Sequence, residues 1–383
     1  MDYWIILYFI DWVLFIVAAF TVLYMAVFVL VSAFYKSEPV PKAKQQRRFI
    51  VIIPSYKGDE KIEATVKAIL GQTYPQRLFD VTVVSDHQKE ITNFHLAQQP
   101  ITLLTPNFRQ SSKGKSLQYA INNLPQFKIY DVVVILDCDN IVLPTFLEEL
   151  NNGYEYAGTK AVQCHRCSKN LDTSSALLDA TFEEIYNTIF RLGHVAVGLP
   201  SAICGSGMAF DFTWFKENIT RTRSEWEDKE LEALLMRQSV YVDYLKDVVV
   251  FDEKTRSTRD FSRQRGRWIA AQLHTVVRNI RYLPGAIFRK QYDLADKIIQ
   301  WMLMPRMMMM ATIVVMSIVL PFIYFTLAVK WWITAAFILF IFALATPDYL
   351  VNKAWERAFF KSPFIMFGSI FNIFRSLFRR RKR

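Results

Sequence analysis

Cysteine is scarce in this chain of 383 residues: there are four, Cys138, Cys164, Cys167 and Cys204, all in its polar middle and without the spacing of a disulfide framework. That excludes a small secreted domain stapled by disulfides and fits a reducing compartment. A partner pair for Cys164-x-x-Cys167 is also missing. With only His165 nearby, the sequence falls short of the four ligands that a structural zinc site requires. No positive charge precedes the first apolar run, and that run is longer than the core of a signal peptide, which excludes a cleaved secretory leader. Glycine is missing where a phosphate loop needs it, because Arg109 holds that place ahead of Gly114, Lys115 and Ser116, so the ATPase reading fails. Paired charges of the kind that mark a transport path are missing from the apolar runs, and the runs are too few for a transporter.

What is present lies in blocks. Apolar residues make up 52% and aromatic residues 15% of the chain, with the excess at both ends, which predicts one soluble domain held between membrane segments. Trp4 to Phe34 is almost wholly apolar, longer than the ~20 residues a spanning helix needs, with Asp11 out of place. Met307 to Val329 reads as a second span, kinked at Pro321, and Trp331 to Thr346 as a third, close to the ~17-residue lower limit. The net charge of +11 gathers beside these runs, at Lys36, Lys42, Lys44, Arg47 and Arg48 and at residues 379–383. Anionic lipid headgroups rather than nucleic acid are therefore the expected partner. By the positive-inside rule the extreme N-terminus lies outside, while the middle domain and the tail are cytoplasmic in a multi-pass protein of the cell membrane.

Apolar residues recur at Ile269, Leu273, Val276, Val277 and Ile280, and again at Phe364, Phe367, Phe371, Phe374 and Phe378. Such spacing suits helices lying along a membrane, although for the first stretch ordinary core packing fits equally well. The chain thus divides into an anchor (1–35), a catalytic domain (36–266), interfacial helices (267–302), two spans (303–350) and an amphipathic basic tail (351–383).

In the middle, apolar runs at Phe49 to Ile53, Val81 to Val84, Ile101 to Leu104 and Val132 to Leu136 alternate with helical spacing at Ile62 to Leu70 and Leu117 to Leu124. This predicts an α/β domain with a parallel sheet covered on both faces, whose ligands bind beyond the carboxyl ends of the strands. Pro54, Ser55 and Tyr56, then Asp86, then Asp137 and Asp139 fall at those ends. Two carboxylates at alternate positions can converge on a divalent cation; a lone pair of this kind reads more readily as a solvated turn closing on Asn140 and Pro144. Gly114 and Lys115 open a helix where an anion would be favoured. Ser224 and Glu227 have capping-box spacing, which places Asp228 in a first helical turn and keeps it ionised, fit to be a general base or simply good helix-start chemistry. Gln264, Arg267 and Trp268 precede the interfacial stretch, where a guanidinium suits a diphosphate and an indole face suits a sugar. A basic, aromatic membrane belt would look the same.

Taken in order, IVIIPSYKGDE, VVSD, GKSLQYAIN, DCD, CGSG, ED and QRGRW resemble the membrane-bound family-2 glycosyltransferases, the group of cellulose, hyaluronan and chitin-oligosaccharide synthases and, more distantly, ceramide glucosyltransferase. The resemblance runs from about Phe49 to Trp268. It implies a GT-A fold flanked by transmembrane helices, an inverting mechanism, a nucleoside diphosphate sugar donor, expected to be uridine-linked, and Mg2+ or Mn2+. Residue by residue, it implies that Pro54, Tyr56, Asp86 and Lys115 bind the donor, Asp137 and Asp139 hold donor and metal, and Asp228 is the catalytic base. Gly205, Ser206, Gly207, Glu227, Gln264, Arg267 and Trp268 would hold the diphosphate and line the acceptor entrance. The acceptor would be a glycan or a lipid, with cell-surface polysaccharide favoured over a single-sugar glycolipid. A membrane subunit that binds nucleotide sugar without turning it over is the reading from another class. Two departures stand out: Trp226 replaces the threonine usual before Glu227 and Asp228, and three spans are too few for a complete export channel, which would call for partner proteins.

Overall fold

The computed structural model describes residues 3–125 and 127–360, so the phenylalanine-rich basic stretch from Phe364 onward lies outside the described residues. The chain opens with α1 (Tyr3–Phe34) and continues through β1 (Phe49–Tyr56), α2 (Ile62–Leu70), β2 (Phe79–Asp86), α3 (Glu90–Ala97), β3 (Thr102–Leu104), α4 (Lys113–Asn122) and β4 (Val132–Ile135). There follow β5 (Ile141–Val142), α5 (Phe146–Ala157), β6 (Ala161–Ser168), α6 (Ser174–Asn187) and, past a π-helical turn, α7 (Gly193–Val195). β7 (Met208–Asp211), α8 (Phe212–Ile219), α9 (Glu227–Arg237) and β8 (Val242–Asp252) complete the sheet. Then come α10 (Thr258–Asn279), α11 (Leu283–Phe288), α12 (Tyr292–Met302), α13 (Arg306–Ile323) and α14 (Phe325–Ala345), with further helical residues at 353–360.

The strands form one sheet in the order β3-β2-β1-β4-β7-β6-β8-β5. Its first four strands are parallel, as the alternating pattern predicts. Beyond β4 the sheet is mixed: β7 runs antiparallel to both β4 and β6, and β5 runs antiparallel to β8. A buried run as short as Met208–Asp211 carries no mark of its direction, so alternation alone could not give it. In β1 the side chains alternate between two cores, Ile50 and Ile52 packing on one face and Phe49, Val51 and Ile53 on the other. A strand covered on both sides must be apolar at every position, which is why this one reads as a continuous run.

α1, α13 and α14 are long and apolar enough to cross a membrane and pack together around the buried Trp331. The break between the last two falls at Tyr324 rather than after Val329, three residues beyond Pro321 of α13. A proline ring cannot donate to the ladder and crowds the preceding turn. The consequence is a last span of 21 residues, longer than the apolar run alone suggested.

α10 settles which face of its apolar stripe is covered. Ala271, Thr275 and Asn279 face inward, while Leu273, Val277 and Ile280 are exposed. The inward face also holds Phe261, with Val276 packed partly against the core, and the large apolar side chains outside form an exposed apolar patch on this helix.

Asp11 has a specific reason to sit in α1. It accepts from the Trp331 indole at 2.8 Å and pairs with the Lys330 ammonium, which also lies 3.9 Å over the Trp12 ring. Removing one member leaves the other charge uncompensated among apolar helices. Asp11→Ala should therefore lower stability in detergent by about 3 kcal/mol, whereas Asp11→Leu combined with Lys330→Leu should recover most of it. Thermal unfolding of the single and double variants measures this; equal losses in both would show that the pair is not what the bundle needs.

Candidate active site

The carboxyl ends of the parallel strands bring the first groups together. Register pairs Tyr56 with Asp86 across β1 and β2. Pro54 is half-buried behind an exposed Tyr56, and Asp86 is buried, with Oδ1 2.5 Å from Nδ1 of His87 and Oδ2 without a partner. An unpaired buried carboxylate oxygen is costly unless something arrives to use it. His87, at φ +56 beside this group, was not singled out from the sequence.

After β4 the backbone amide of Asp137 donates to Asn140 Oδ1 at 2.9 Å, and Asn140 Nδ2 donates to Asp252 at 3.1 Å. Asn140 is therefore a buried brace rather than part of a solvated turn. Asp139 pairs with Lys61 at 3.5 Å, and burial together with the nearby Asp252 and Asp137 pushes its carboxyl up to about 6. Asp137 pairs with the ammonium of Lys113, which also donates to the Gly205 carbonyl at 2.6 Å. Burial works against the charge on Lys113, yet Asp137, Glu227 and Asp228 together hold its pKa above the ordinary value. Lys115 faces elsewhere: it is exposed, and its Nζ donates to the Gln110 carbonyl at 2.7 Å.

The loop before β7 closes over the same point. Gly207 has φ +63, a conformation that an L side chain resists, and a Cβ there would lie 3.3 Å from Val250. Gln163, another residue the sequence reading passed over, donates to the carbonyls of Ser206 and Gly207 at 3.0 Å, and the Ser206 hydroxyl is buried without a partner. The Gly205 amide donates to Asp228 Oδ2 at 3.3 Å.

A sequence model described as glycosyltransferase like family 2 matches residues 46–271, more than half of the chain. The chain belongs to this family. It is a glycosyltransferase with the GT-A fold, carrying an apolar helix before that domain and two after it. Among solved structures, the mannosyltransferase PcManGT from Pyrobaculum calidifontis, determined with GDP-Man and Mn2+, is 16% identical over 84% of this chain and 97% of its own, with a TM-score of 0.53. TarS 1-349 of S. aureus in complex with UDP is 14% identical over 59% of this chain and 65% of its own, with a TM-score of 0.39. The same TarS fragment in complex with UDP-GlcNAc is 13% identical over 79% and 93%, with a TM-score of 0.40. No curated protein sequence matches.

In this transferase the first turn of α9 differs from the capping box read at Ser224 and Glu227. The N-cap is Trp226, with no side-chain cap, and Ser224 accepts only from the Trp226 amide at 3.3 Å. Glu230 reaches back instead, accepting from the amides of Arg223 at 2.5 Å and Ser224 at 3.3 Å. Asp228 still falls in the first turn. Close approach of α4 makes this possible, because a Cβ on Gly114 would stand 3.3 Å from that of Glu227.

Gln264, Arg267 and Trp268 all lie within α10 rather than ahead of it. Arg267 and Trp268 are exposed, and Gln264 Oε1 is buried without a partner. The residue between them does the anchoring: Arg265 is buried, pairs with Asp179 and lies 4.3 Å over the Trp268 ring. Hard carboxylate oxygens at Asp137 and Asp139 suit a divalent cation, whose charge would relieve the crowding of Asp137, Asp139 and Asp252.

Glu227 is buried, and its carboxyl moves from the usual 4.5 to about 8 through burial and the neighbouring Asp228, against the pull of Lys113. A pKa raised on folding gives a contribution that is present below the unfolded value and lost as pH rises through the folded one. In donor-free protein, Glu227→Gln should therefore gain thermal stability over wild type as the buffer goes from about pH 5 to about pH 9. A gap that does not change with pH would mean that Glu227 does not hold a proton there.

Proposed function

We propose that this transferase moves a sugar, with inversion, from a uridine-linked donor to a hydroxyl acceptor at the cytoplasmic membrane face, in cell-surface polysaccharide synthesis. The observation that carries the reading is the ammonium of Lys113, bonded to Asp137 and to the Gly205 carbonyl, with Glu227 and Asp228 near enough to help raise its pKa. Nucleotide-sugar complexes of PcManGT and TarS support the donor class. Asp86 and Tyr56 face the nucleobase end, and Pro54 shapes the strand end between them. Lys113, rather than Lys115, lies where a diphosphate would meet positive charge, with Arg267 and Gln264 of α10 approaching from the membrane side.

Asp228, opened to the cleft and positioned by the Gly205 amide, takes the proton of the acceptor hydroxyl as that oxygen attacks the anomeric carbon. The bond to the donor diphosphate breaks on the opposite face, and the diphosphate leaves toward Lys113. Asp137 and Asp139 would hold Mg2+ or Mn2+, which when bound supplies positive charge to the diphosphate. Glu227, holding its own proton, adds no negative charge beside the leaving group. Trp268 offers an indole face at the acceptor entrance.

A second reading, transfer of one sugar to an anionic lipid, is favoured by a cleft of about 550 Å³ between α9 and α10. Arg221, Lys229, Arg237, Arg278 and Arg281 line it, with Glu230 as the one acid, and the Trp226 and His274 rings lie 4.8 Å apart at a tilt of 54°. The exposed apolar face of α10 stands beside these cations, as a lipid headgroup site at a membrane surface requires. Incubating the purified protein and Mn2+ with UDP- and GDP-sugars, and with glycan and lipid-phosphate acceptors in turn, separates the two products. It also separates both from a binding subunit, which would release no nucleotide.

The base assignment has its own measurement. Asp228→Asn should lower the transfer rate by about 10²–10⁴-fold while UDP affinity and thermal stability change little. A variant with near-normal turnover per folded molecule would end the assignment.

A further inference from the structure

β6 carries a second cluster that the transfer reaction does not use. Alternation along the strand sends Cys164 into the core, while His165 and Cys167 share the opposite face. There α6 brings Glu184 between them. His165 Nε2 lies 3.0 and 3.1 Å from the two Glu184 oxygens and 3.4 Å from Cys167 Sγ. The pairing of β6 with β8 shifts register between Cys164 and His165, and Lys246, in the residues this skips, turns its carbonyl to accept from His165 Nδ1 at 3.0 Å. Because the Lys246 carbonyl and the Glu184 carboxylate both only accept, the metal-free ring carries a proton on each nitrogen, and Nε2–H donates to Glu184 with the Cys167 sulfur close by.

We propose that His165, Cys167 and Glu184 form a zinc site distinct from Asp137 and Asp139. One imidazole nitrogen, one thiolate and one carboxylate oxygen are a borderline-soft set, suited to zinc rather than magnesium. Zinc bonds of about 2.0 Å to nitrogen and oxygen and about 2.3 Å to sulfur give tetrahedral edges of roughly 3.3–3.6 Å. The edges from His165 are already close to that, so small adjustments bring the three ligands onto one ion. The supporting contacts are of the kind that orient metal ligands: the Lys246 carbonyl on His165, and Asn187 Nδ2 at 3.2 Å and the Tyr349 hydroxyl at 2.9 Å on Glu184. Binding displaces two protons to solvent, the one on His165 Nε2 and the one on the Cys167 thiol, and water or the Tyr349 oxygen completes the fourth position.

The location gives the ion a structural task. Tyr349 follows α14, so the metal ties the end of the last span to the catalytic domain through α6 and β6. On the other side of β6, Arg166 pairs with Asp252 at 2.6 Å, next to the crowded Asp139. A fixed β6 therefore also fixes one wall of the donor site.

The full chain, purified in detergent, stripped with chelator and dialysed, should take up one zinc per molecule. Cobalt in its place should show a thiolate-to-metal charge-transfer band and the visible bands of a tetrahedral ion. Asp139→Ala should keep both signals; Cys167→Ser and His165→Ala should lose them; Tyr349→Phe should weaken zinc affinity by about 10-fold. Because a ligand variant could fail to fold, wild-type protein supplies a second readout: one equivalent of zinc should shield Cys167, located by peptide mass, from a maleimide. Zinc well below one per chain, cobalt bands that persist in Cys167→Ser, or unchanged labelling of Cys167 would each overturn the site.

Discussion

The candidate site depends on one buried ammonium. Asp137 follows β4 whereas Glu227 and Asp228 are neighbours in α9, so two separate parts of the chain bring acidic groups together, and negative charge on Asp137 and Asp228 would repel in a medium of low effective dielectric. Lys113 lets them share a cleft, and its hydrogen bond to the Gly205 carbonyl ties in the glycine loop as a third part. Its position is fixed locally. Ser112 caps α4 by accepting from the Lys115 amide at 3.2 Å, and the following Gly114 lets α9 come close enough for its first turn to reach the ammonium. A larger residue at 114 would push the two helices apart and leave the carboxylates without their cation.

A second layer of charge lies beneath the first. Arg166 pairs with Asp252, Lys254 lies 3.0 Å from Asp252 and 3.6 Å from Glu183, Arg191 lies 3.3 Å from Glu183, and Arg265 pairs with Asp179. These pairs run from β8 through β6 and α6 to α10. Buried ion pairs add little net stability over apolar packing, but each is costly to break on one side only. The layer therefore acts less as an adhesive than as a constraint on how the sheet, α6 and α10 sit together. Trp268 is placed through it, because the guanidinium beneath its ring is itself held by Asp179.

Much of this was legible in the sequence. Strong apolar runs gave the parallel half of the sheet, and the acidic groups at strand ends gave the cleft. Failures came where a side chain's direction or a distant neighbour decided the outcome. Lys113 and Lys115 lie two positions apart on one helix, roughly 200° around its axis, so only one can face the cleft. Which one does so depends on where β4 and the glycine loop lie, and no local pattern records that. The Ser224 and Glu227 spacing fits a capping box, but Glu230 takes the free amides first. A count of ligands near Cys164 and Cys167 found only His165, because Glu184 arrives from another element and Cys164 points away.

The α10 stripe shows how a pattern can be right and still leave its meaning open. Periodic apolar residues from Ile269 to Ile280 fit a core helix and a membrane-surface helix equally, since periodicity reports that a face exists and not what covers it. The inward face decides. Phe261, Ala271 and Thr275 pack against the domain, and Asn279 accepts from Arg237 at 3.2 Å, so the protein side of the helix is already covered. The large apolar side chains Leu273, Val277 and Ile280 are left facing away, and burying them requires an apolar phase beyond the protein. The same helix carries Gln264, Arg267 and Trp268, so in the proposed function a bilayer touching that patch would fix the height of the acceptor entrance above the membrane. In the proposed function that shared helix is what lets a soluble nucleotide sugar and a membrane-held acceptor meet.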